Sequence, residues 1–161
     1  MKILIVADTH LTQPEAFTRV LSDQDLPDYV IHAGDYVDIG VLNSFKEKYN
    51  FIGVYGNNDD SEIVQQLYSK EIIEFPPYKI GIFHGDGQGK STIERTYEQF
   101  KTDDVDIVVF GHSHQPLILT KDKMLFLNPG SPTNKRKERW FSYIMLELLP
   151  EMIKAELRLF R

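Results

Sequence analysis

The sequence contains no cysteine. That excludes a disulfide framework and any thiolate metal site. No apolar run approaches the ~20 residues of a membrane span. The N-terminal run Met1–Ala7 gives way at once to Asp8-Thr9-His10, too early for a secretory signal with its longer apolar stretch and cleavage site. A cytoplasmic protein with no membrane partner is expected. Positive charge is also scarce: 18 Lys and Arg stand against 24 Asp and Glu, a formal net charge of −6. A sequence-independent nucleic-acid coat needs a basic face and is not expected. A phosphate ligand remains compatible, because bound divalent cations invert the field over a carboxylate cluster. Repeats, low-complexity segments and linkers are absent too. What is present is a globular composition, 42% hydrophobic and 26% charged, over 161 residues. One domain covering 1–161 is the expectation.

Short apolar runs alternate with amphipathic stretches in the first half. Lys2–Ala7, Tyr29–Ala33 and Phe51–Tyr55 read as buried strands by length and β-branching. Pro14–Ser22, Val41–Lys48 and Ser61–Tyr68 read as the helices between and after them. This βαβαβα order predicts a parallel sheet with right-handed crossovers. The second half reads as strands Glu71–Phe75 and Tyr78–Phe83, helix Thr92–Phe100 and strand Asp106–Phe110. A hairpin follows, Leu117–Thr120 and Met124–Leu127 around Lys121-Asp122-Lys123, and then a final strand pair, Trp140–Leu148 and Met152–Phe160. Two sheets with helices outside accommodate all these pieces.

The polar residues fall at one kind of place on this map. Asp8 and His10 follow the first strand, Asp35 the second, and Asn57 the third. His84 ends the Tyr78–Phe83 strand, and His112 and His114 follow Asp106–Phe110. Loops past the carboxyl ends of strands are where open α/β sheets bind ligands. Of five histidines, four sit at these positions. Imidazole, carboxylate and amide without thiolate suit zinc, iron, nickel or manganese. The set Asp8, His10, Asp35, Asn57, His84, His112 and His114 is too large for one tetrahedral ion. It fits two ions sharing a carboxylate, which at a separation of ~3.5–4 Å can clamp both the attacking and leaving oxygens of an in-line displacement.

Asp8-x-His10, Gly34-Asp35, Gly56-Asn57-x-Asp59, His84 and Gly111-His112-x-His114 resemble, in order, the five-block signature of the calcineurin-like metallophosphoesterases. With Asn128-Pro129-Gly130-Ser131-Pro132 they resemble its small bacterial and archaeal phosphodiesterase branch. The resemblance implies an α/β fold, a four-layer αββα sandwich of two mixed β-sheets flanked by helices. It implies two divalent ions, manganese by family habit with nickel, iron or zinc as alternatives. Asp8, His10 and His114 would hold one ion, and Asn57, His84 and His112 the other. Asp35 would bridge them, with a hydroxide between the ions as nucleophile. Partners on this reading are a small phosphodiester substrate and, compatibly with the sequence, a second copy of the chain in a homo-oligomer. Many family members carry a histidine where this chain has Asn58. An amide cannot serve as a general acid, a role worth ~10²–10⁴ in rate, but it can hydrogen-bond a phosphoryl oxygen. Asn58 and Asp59 are therefore the candidate catalytic pair, with Asp59 read equally as a clamp that orients the ligands from behind or as a cap for the helix near Ser61.

Three other readings compete. Gly85-Asp86-Gly87-Gln88-Gly89-Lys90-Ser91 resembles a P-loop between strand and helix, yet the glycine required five residues before Gly89 is His84. A protein-interaction scaffold like the retromer subunit of this fold would tolerate lost ligands, whereas every ligand position here is filled. A phosphomonoesterase is the nearest enzymatic alternative. His32, inside a strand, is expected to pack or to support the ligands, and the run Lys135–Arg139 to be a solvated loop or a phosphate-steering rim.

Overall fold

The computed structural model describes residues 1–13 and 26–161. The helix expected at Pro14–Ser22 lies outside the described residues. In chain order the elements are β1 (Lys2–Val6), β2 (Tyr29–His32), α1 (Ile39–Lys48), β3 (Phe51–Gly53), α2 (Ser61–Val64), β4 (Lys70–Phe75) and β5 (Tyr78–Phe83). They continue with α3 (Thr92–Phe100), β6 (Ile107–Val109), β7 (Leu117–Lys121), β8 (Met124–Asn128), β9 (Phe141–Leu149) and β10 (Met152–Phe160).

Two five-stranded sheets form, ordered β10-β9-β1-β2-β3 and β4-β5-β6-β8-β7. Within the first, β1, β2 and β3 are parallel, and β9 and β10 add antiparallel. Within the second, β5, β6 and β8 are parallel, with antiparallel edges β4 and β7. Both sheets are thus mixed, as expected.

The apolar runs explain the layering. Strand side chains alternate between faces, and β1 is apolar on both. Ile3, Ile5 and Ala7 point into a core shared with Ile80, Ile82, Ile107, Val109 and Leu127 of the second sheet. Leu4 and Val6 point the other way, onto Val41, Leu42 and Phe45 of α1. On the far face of the second sheet, Val108 and Phe126 pack with Phe100 of α3. Strands buried on both faces read as continuous apolar runs, which is why the sequence shows them so plainly.

Two helix boundaries differ from expectation. α1 starts at Ile39 rather than Val41, because Asp38 caps it by accepting from the Gly40 N–H at 2.7 Å. α2 stops at Val64 rather than Tyr68. The chain beyond it is drawn alongside the end of β3: Tyr68 bridges Val54 in parallel, and Tyr55 N donates to Tyr68 O at 3.1 Å. Tertiary pairing overrides a helical pattern here.

Candidate metal centre

The strand ends turn sharply, and the turns carry the polar residues. Asp8, His10, Asp35, His112 and His114 have φ of 54°, 44°, 63°, 66° and 58°. The left-handed region is uncommon for residues with a Cβ, though Asp and His tolerate it better than most. Five such residues at one site is stored strain of the kind functional sites hold. Gly34 makes a close approach, at φ 92°, where a Cβ would stand 2.7 Å from His84 Nδ1 and 2.8 Å from Gly56 N.

These turns bring the ligand candidates together. His10 Nε2 lies 3.3 Å from His114 Nε2, and His114 Nε2 lies 3.4 Å from Asp8 Oδ1. Asp35 spans two groups, with Oδ2 3.4 Å from His10 Nε2 and Oδ1 3.4 Å from His84 Nε2. His112 Nδ1 meets Asn57 Oδ1 at 2.9 Å, and the His112 ring lies edge-on to His84 with centroids 5.2 Å apart. Ligand atoms ~2.1 Å from one ion, at tetrahedral or octahedral angles, lie about 3.0–3.4 Å from each other. The atoms of Asp8, His10 and His114, and those of Asp8, Asp35 and His84, form two slightly looser clusters, each within 4.8 Å, that meet at Asp8; the His10 Nε2 to Asp8 Oδ1 separation is 4.0 Å. His112 lies beyond the second cluster, next to His84, with Asn57 against it.

A cation fits because the site is otherwise unsatisfied. Both carboxylate oxygens of Asp8 and the Nε2 of His84 are buried without a hydrogen-bond partner. Leaving buried polar atoms unpaired costs roughly 1–3 kcal/mol each, more for charged ones. The tautomers match. His84 Nδ1 donates to Ala33 O at 2.7 Å, and His114 Nδ1 donates to Asn134 O. Each ring therefore turns its Nε2 lone pair inward, the arrangement metal-binding imidazoles adopt.

Behind the ligands stands a second set of contacts. Asp59 accepts backbone N–H bonds from Asp35 (3.0 Å), Tyr36 (2.6 Å), Val37 (2.8 Å) and Gly56 (2.7 Å). Its carboxylate ties the Asp35 turn to the Gly56 turn and is spent on backbone. The helix cap is Asp60, whose side chain accepts from Glu62 N and Ile63 N. Asn58 donates to Asp35 through its backbone N–H (2.9 Å) and its Nδ2 (2.7 Å). It holds the carboxylate while leaving Asp35 lone pairs for ions. His32 is buried, accepts from Gly34 N at 3.2 Å and lies 3.0 Å from Thr9 Oγ1. Its expected supporting role is what the geometry shows. The Asn128–Pro132 stretch and the two residues after it back both loops. Ser131 Oγ donates to Asp8 O at 2.7 Å, Thr133 Oγ1 donates to Thr9 O, and Asn128 Nδ2 donates to Gly111 O at 2.9 Å. The polar Asn-Pro-Gly-Ser-Pro-Thr run after an apolar strand was the only signal for this.

The P-loop reading finds no support. Ser91 and Glu94 form a capping box over the start of α3, and Arg95 closes the preceding loop by donating to Gly85 O at 2.9 Å.

Burial pushes the Asp8 carboxyl up to about 7. At His84 burial opposes the charge, but the Asp35 carboxylate 3.4 Å away and the Asp8 carboxylate outweigh it and push the imidazole up to about 9. Burial, helped by the nearby Arg136 and His10, lowers His114 to about 4. Asp35 stays well below the usual carboxylate range, because the His84 imidazole 3.4 Å away and the bonds from Asn58 overcome its burial. A cation needs Asp8 deprotonated and His84 neutral, so loading must displace the protons held there. Metal affinity is therefore expected to strengthen as pH rises from about 6 to about 8, and calorimetry in buffers of different ionisation heats should read released protons. Binding with no proton release at pH 6 would contradict this.

A double-sheet sandwich with buried imidazole and carboxylate lone pairs converging at its strand ends defines a hydrolytic metal enzyme rather than a thiol or nucleophile-triad one. Comparison places it more closely. Residues 1–150 match the family model of the calcineurin-like phosphoesterase superfamily domain, and the chain belongs to that family. A probable metallophosphoesterase of Methanocaldococcus jannaschii is 37% identical over 144 residues, covering 84% of this chain and 70% of the relative. The structure of an archaeal phosphodiesterase superposes with a TM-score of 0.75 at 26% identity, covering 98% of this chain and all of the other. Vps29 of Chaetomium thermophilum superposes at 0.83 with 17% identity over all of this chain and 88% of the other, a likeness of fold. This chain is thus a metal-dependent phosphoesterase. No helix among the described residues is long and apolar enough to cross a membrane.

Proposed function

We propose that this chain is a single-domain, dinuclear phosphodiesterase acting on a small phosphodiester in the cytoplasm, with manganese as its first metal. The observation that carries the reading is the pair of clusters meeting at Asp8, with the buried lone pairs of Asp8 and His84 otherwise unsatisfied. Asp8, His10 and His114 would hold one ion and Asn57, His84 and His112 the other, with Asp35 reaching both sides. Bound there, the ions supply Lewis acidity and an activated water.

The protein's own residues do the positioning. Asp35, gripped twice by Asn58, is fixed between the His10 and His84 rings. Asp59 locks the turns that carry Asp35 and Asn57. Asn58 supplies no proton to a leaving group, so aryl esters should be cleaved far faster than alkyl ones. With its amide on Asp35, Asn58 also supports the metal site. Asn58→Ala is expected to weaken metal binding by about 10–100-fold, the usual cost of losing a partner behind a ligand. A metal titration checks this, and unchanged affinity would leave Asn58 without the supporting role.

The test of substrate class is hydrolysis of bis(p-nitrophenyl) phosphate against p-nitrophenyl phosphate, with manganese, nickel, iron and zinc each added to stripped protein. A diester preference, greatest with manganese, is expected. Faster monoester turnover with every metal would make the protein a phosphomonoesterase, and no turnover of either would favour a scaffold of the same fold.

A further inference from the structure

Two cavities beside the metal centre are not accounted for by the ligands. The larger, about 610 Å³, has an apolar wall of Ile93, Phe110, Pro116 and Leu117 and a polar rim that includes Ser113 and Gln115. The smaller, about 250 Å³, shares Ser113, Gln115 and Glu138 with it and is otherwise lined by Lys135, Arg136 and Lys137. Ser113 lies between His112 and His114 in sequence. The two cavities therefore form one groove bordering the loop that carries two candidate ligands.

The groove is chemically graded. Lys135 is occupied, donating to Arg139 O at 3.1 Å and lying over the Phe141 ring at 4.8 Å. Arg136 is held by one long contact, Nη1 to His112 O at 3.5 Å. Among the described residues, no carboxylate pairs with it. A guanidinium beside the His112 carbonyl, without a partner carboxylate, is placed to bind a phosphoryl oxygen in a planar fork. At the other end, helix α3 and strand β7 present Ile93 and Leu117 around Phe110, whose ring packs edge-on against Phe126 with centroids 6.2 Å apart. A pocket of this size with an apolar wall suits a flat aromatic group better than a methyl or other small alkyl arm. The polar rim can meet the hydrogen-bonding edge of such a ring.

We infer that this groove is the substrate cleft: Arg136 binds a phosphoryl oxygen, and the pocket of Ile93, Phe110 and Leu117 takes an aromatic ester group of the diester. The inference rests on the phosphodiesterase reading above and specifies its substrate class.

The test uses metal-loaded full-length protein and three probes that are not diesters: methylphosphonate, phenylphosphonate and 5′-AMP. Dissociation constants are read by calorimetry. Phenylphosphonate or 5′-AMP should bind about tenfold or more tighter than methylphosphonate, the scale of burying a ring. The tighter of the two tells whether the ring is attached directly or carried on a nucleoside. Filling the pocket from either wall, with Ile93→Trp on the helix or Leu117→Trp on the strand, should bring that ratio to within about twofold of one. Arg136→Ala should weaken all three probes alike, by about tenfold. Equal wild-type affinities, or a ring preference that survives both tryptophan variants, would overturn the pocket; undiminished binding in Arg136→Ala would overturn the role of the guanidinium. Hydrolysis of bis(p-nitrophenyl) phosphate by the same preparation separates the two levels. If hydrolysis is intact, these failures refute only the cleft; if hydrolysis is absent with every metal, the phosphodiesterase reading itself has failed.

Discussion

Replacing Asp35 by asparagine is expected to strip both metal positions at once and to lower diester hydrolysis by about 10²–10³-fold, the range seen when one preorganised electrostatic group is removed from an active site. The side chain is fully buried, and its two oxygens stand 3.4 Å from His10 Nε2 and 3.4 Å from His84 Nε2. The amide keeps the shape but loses one anionic oxygen and the negative charge. Two cations close together then face a site with less charge to neutralise them. Asn57→Ala is the contrast. Among the described residues the Asn57 side chain hydrogen-bonds to His112 alone, at 2.9 Å, so its loss should weaken one ion and spare the other. Metal content after dialysis, read with turnover on the same samples, decides between them. An Asp35→Asn protein that keeps two ions and wild-type turnover would remove Asp35 from the bridging position.

Asp59→Ala should cost about 3–5 kcal/mol of folding stability. Four backbone N–H groups converge on this one carboxylate. Each donor left in a buried site without an acceptor costs roughly 1–3 kcal/mol, less where water can reach it. Val37 makes the dependence sharper, because this β-branched residue is held at φ 80°, a backbone state that needs a tether. Asp60→Ala removes only a helix cap, worth about 1 kcal/mol. Urea unfolding of the two variants separates the roles. Similar small losses for both would mean that Asp59 is an ordinary cap and that the two turns hold their shape without it.

The inner strands were legible because they are buried on both faces, unlike the partly exposed edge strands β4, β7 and β10. Ile3 and Ile5 face the other sheet while Leu4 and Val6 face α1, so periodicity of two disappears into an unbroken apolar run. The seven ligand candidates were legible for a related reason. Polar residues directly after such runs must sit at strand ends, and the crossovers bring those ends to one edge. Pairings between distant strands were not legible. Nothing local says that β9 should lie against β1, with Ile144 opposite Ile5. The end of α2 was misjudged because the pull of Val54 on Tyr68 is tertiary.

The supporting shell was the least visible. An aspartate after Gly-Asn-Asn reads equally as a cap or a clamp, and only the folded turn shows four donors aimed at Asp59. Asn58, weighed against a proton donor, turned out to grip Asp35. Thr133 and Asn134 lie more than a hundred residues from the Asp8–His10 turn in sequence, yet Thr133 Oγ1 bonds to Thr9 O. Asn134 likewise orients His114. Such contacts carry no periodic signal, since each depends on a single backbone carbonyl meeting a single side chain.

The most direct test of the proposed dinuclear centre is to strip the purified protein with a chelator, remove the chelator, and titrate manganese back while following both bound metal and hydrolysis of bis(p-nitrophenyl) phosphate. The stripped protein should be folded and inactive, and activity should return as about two ions bind per chain, in keeping with a shared two-ion site. Full hydrolysis by protein shown to be metal-free, or recovery complete at one ion per chain with no second binding, would contradict it.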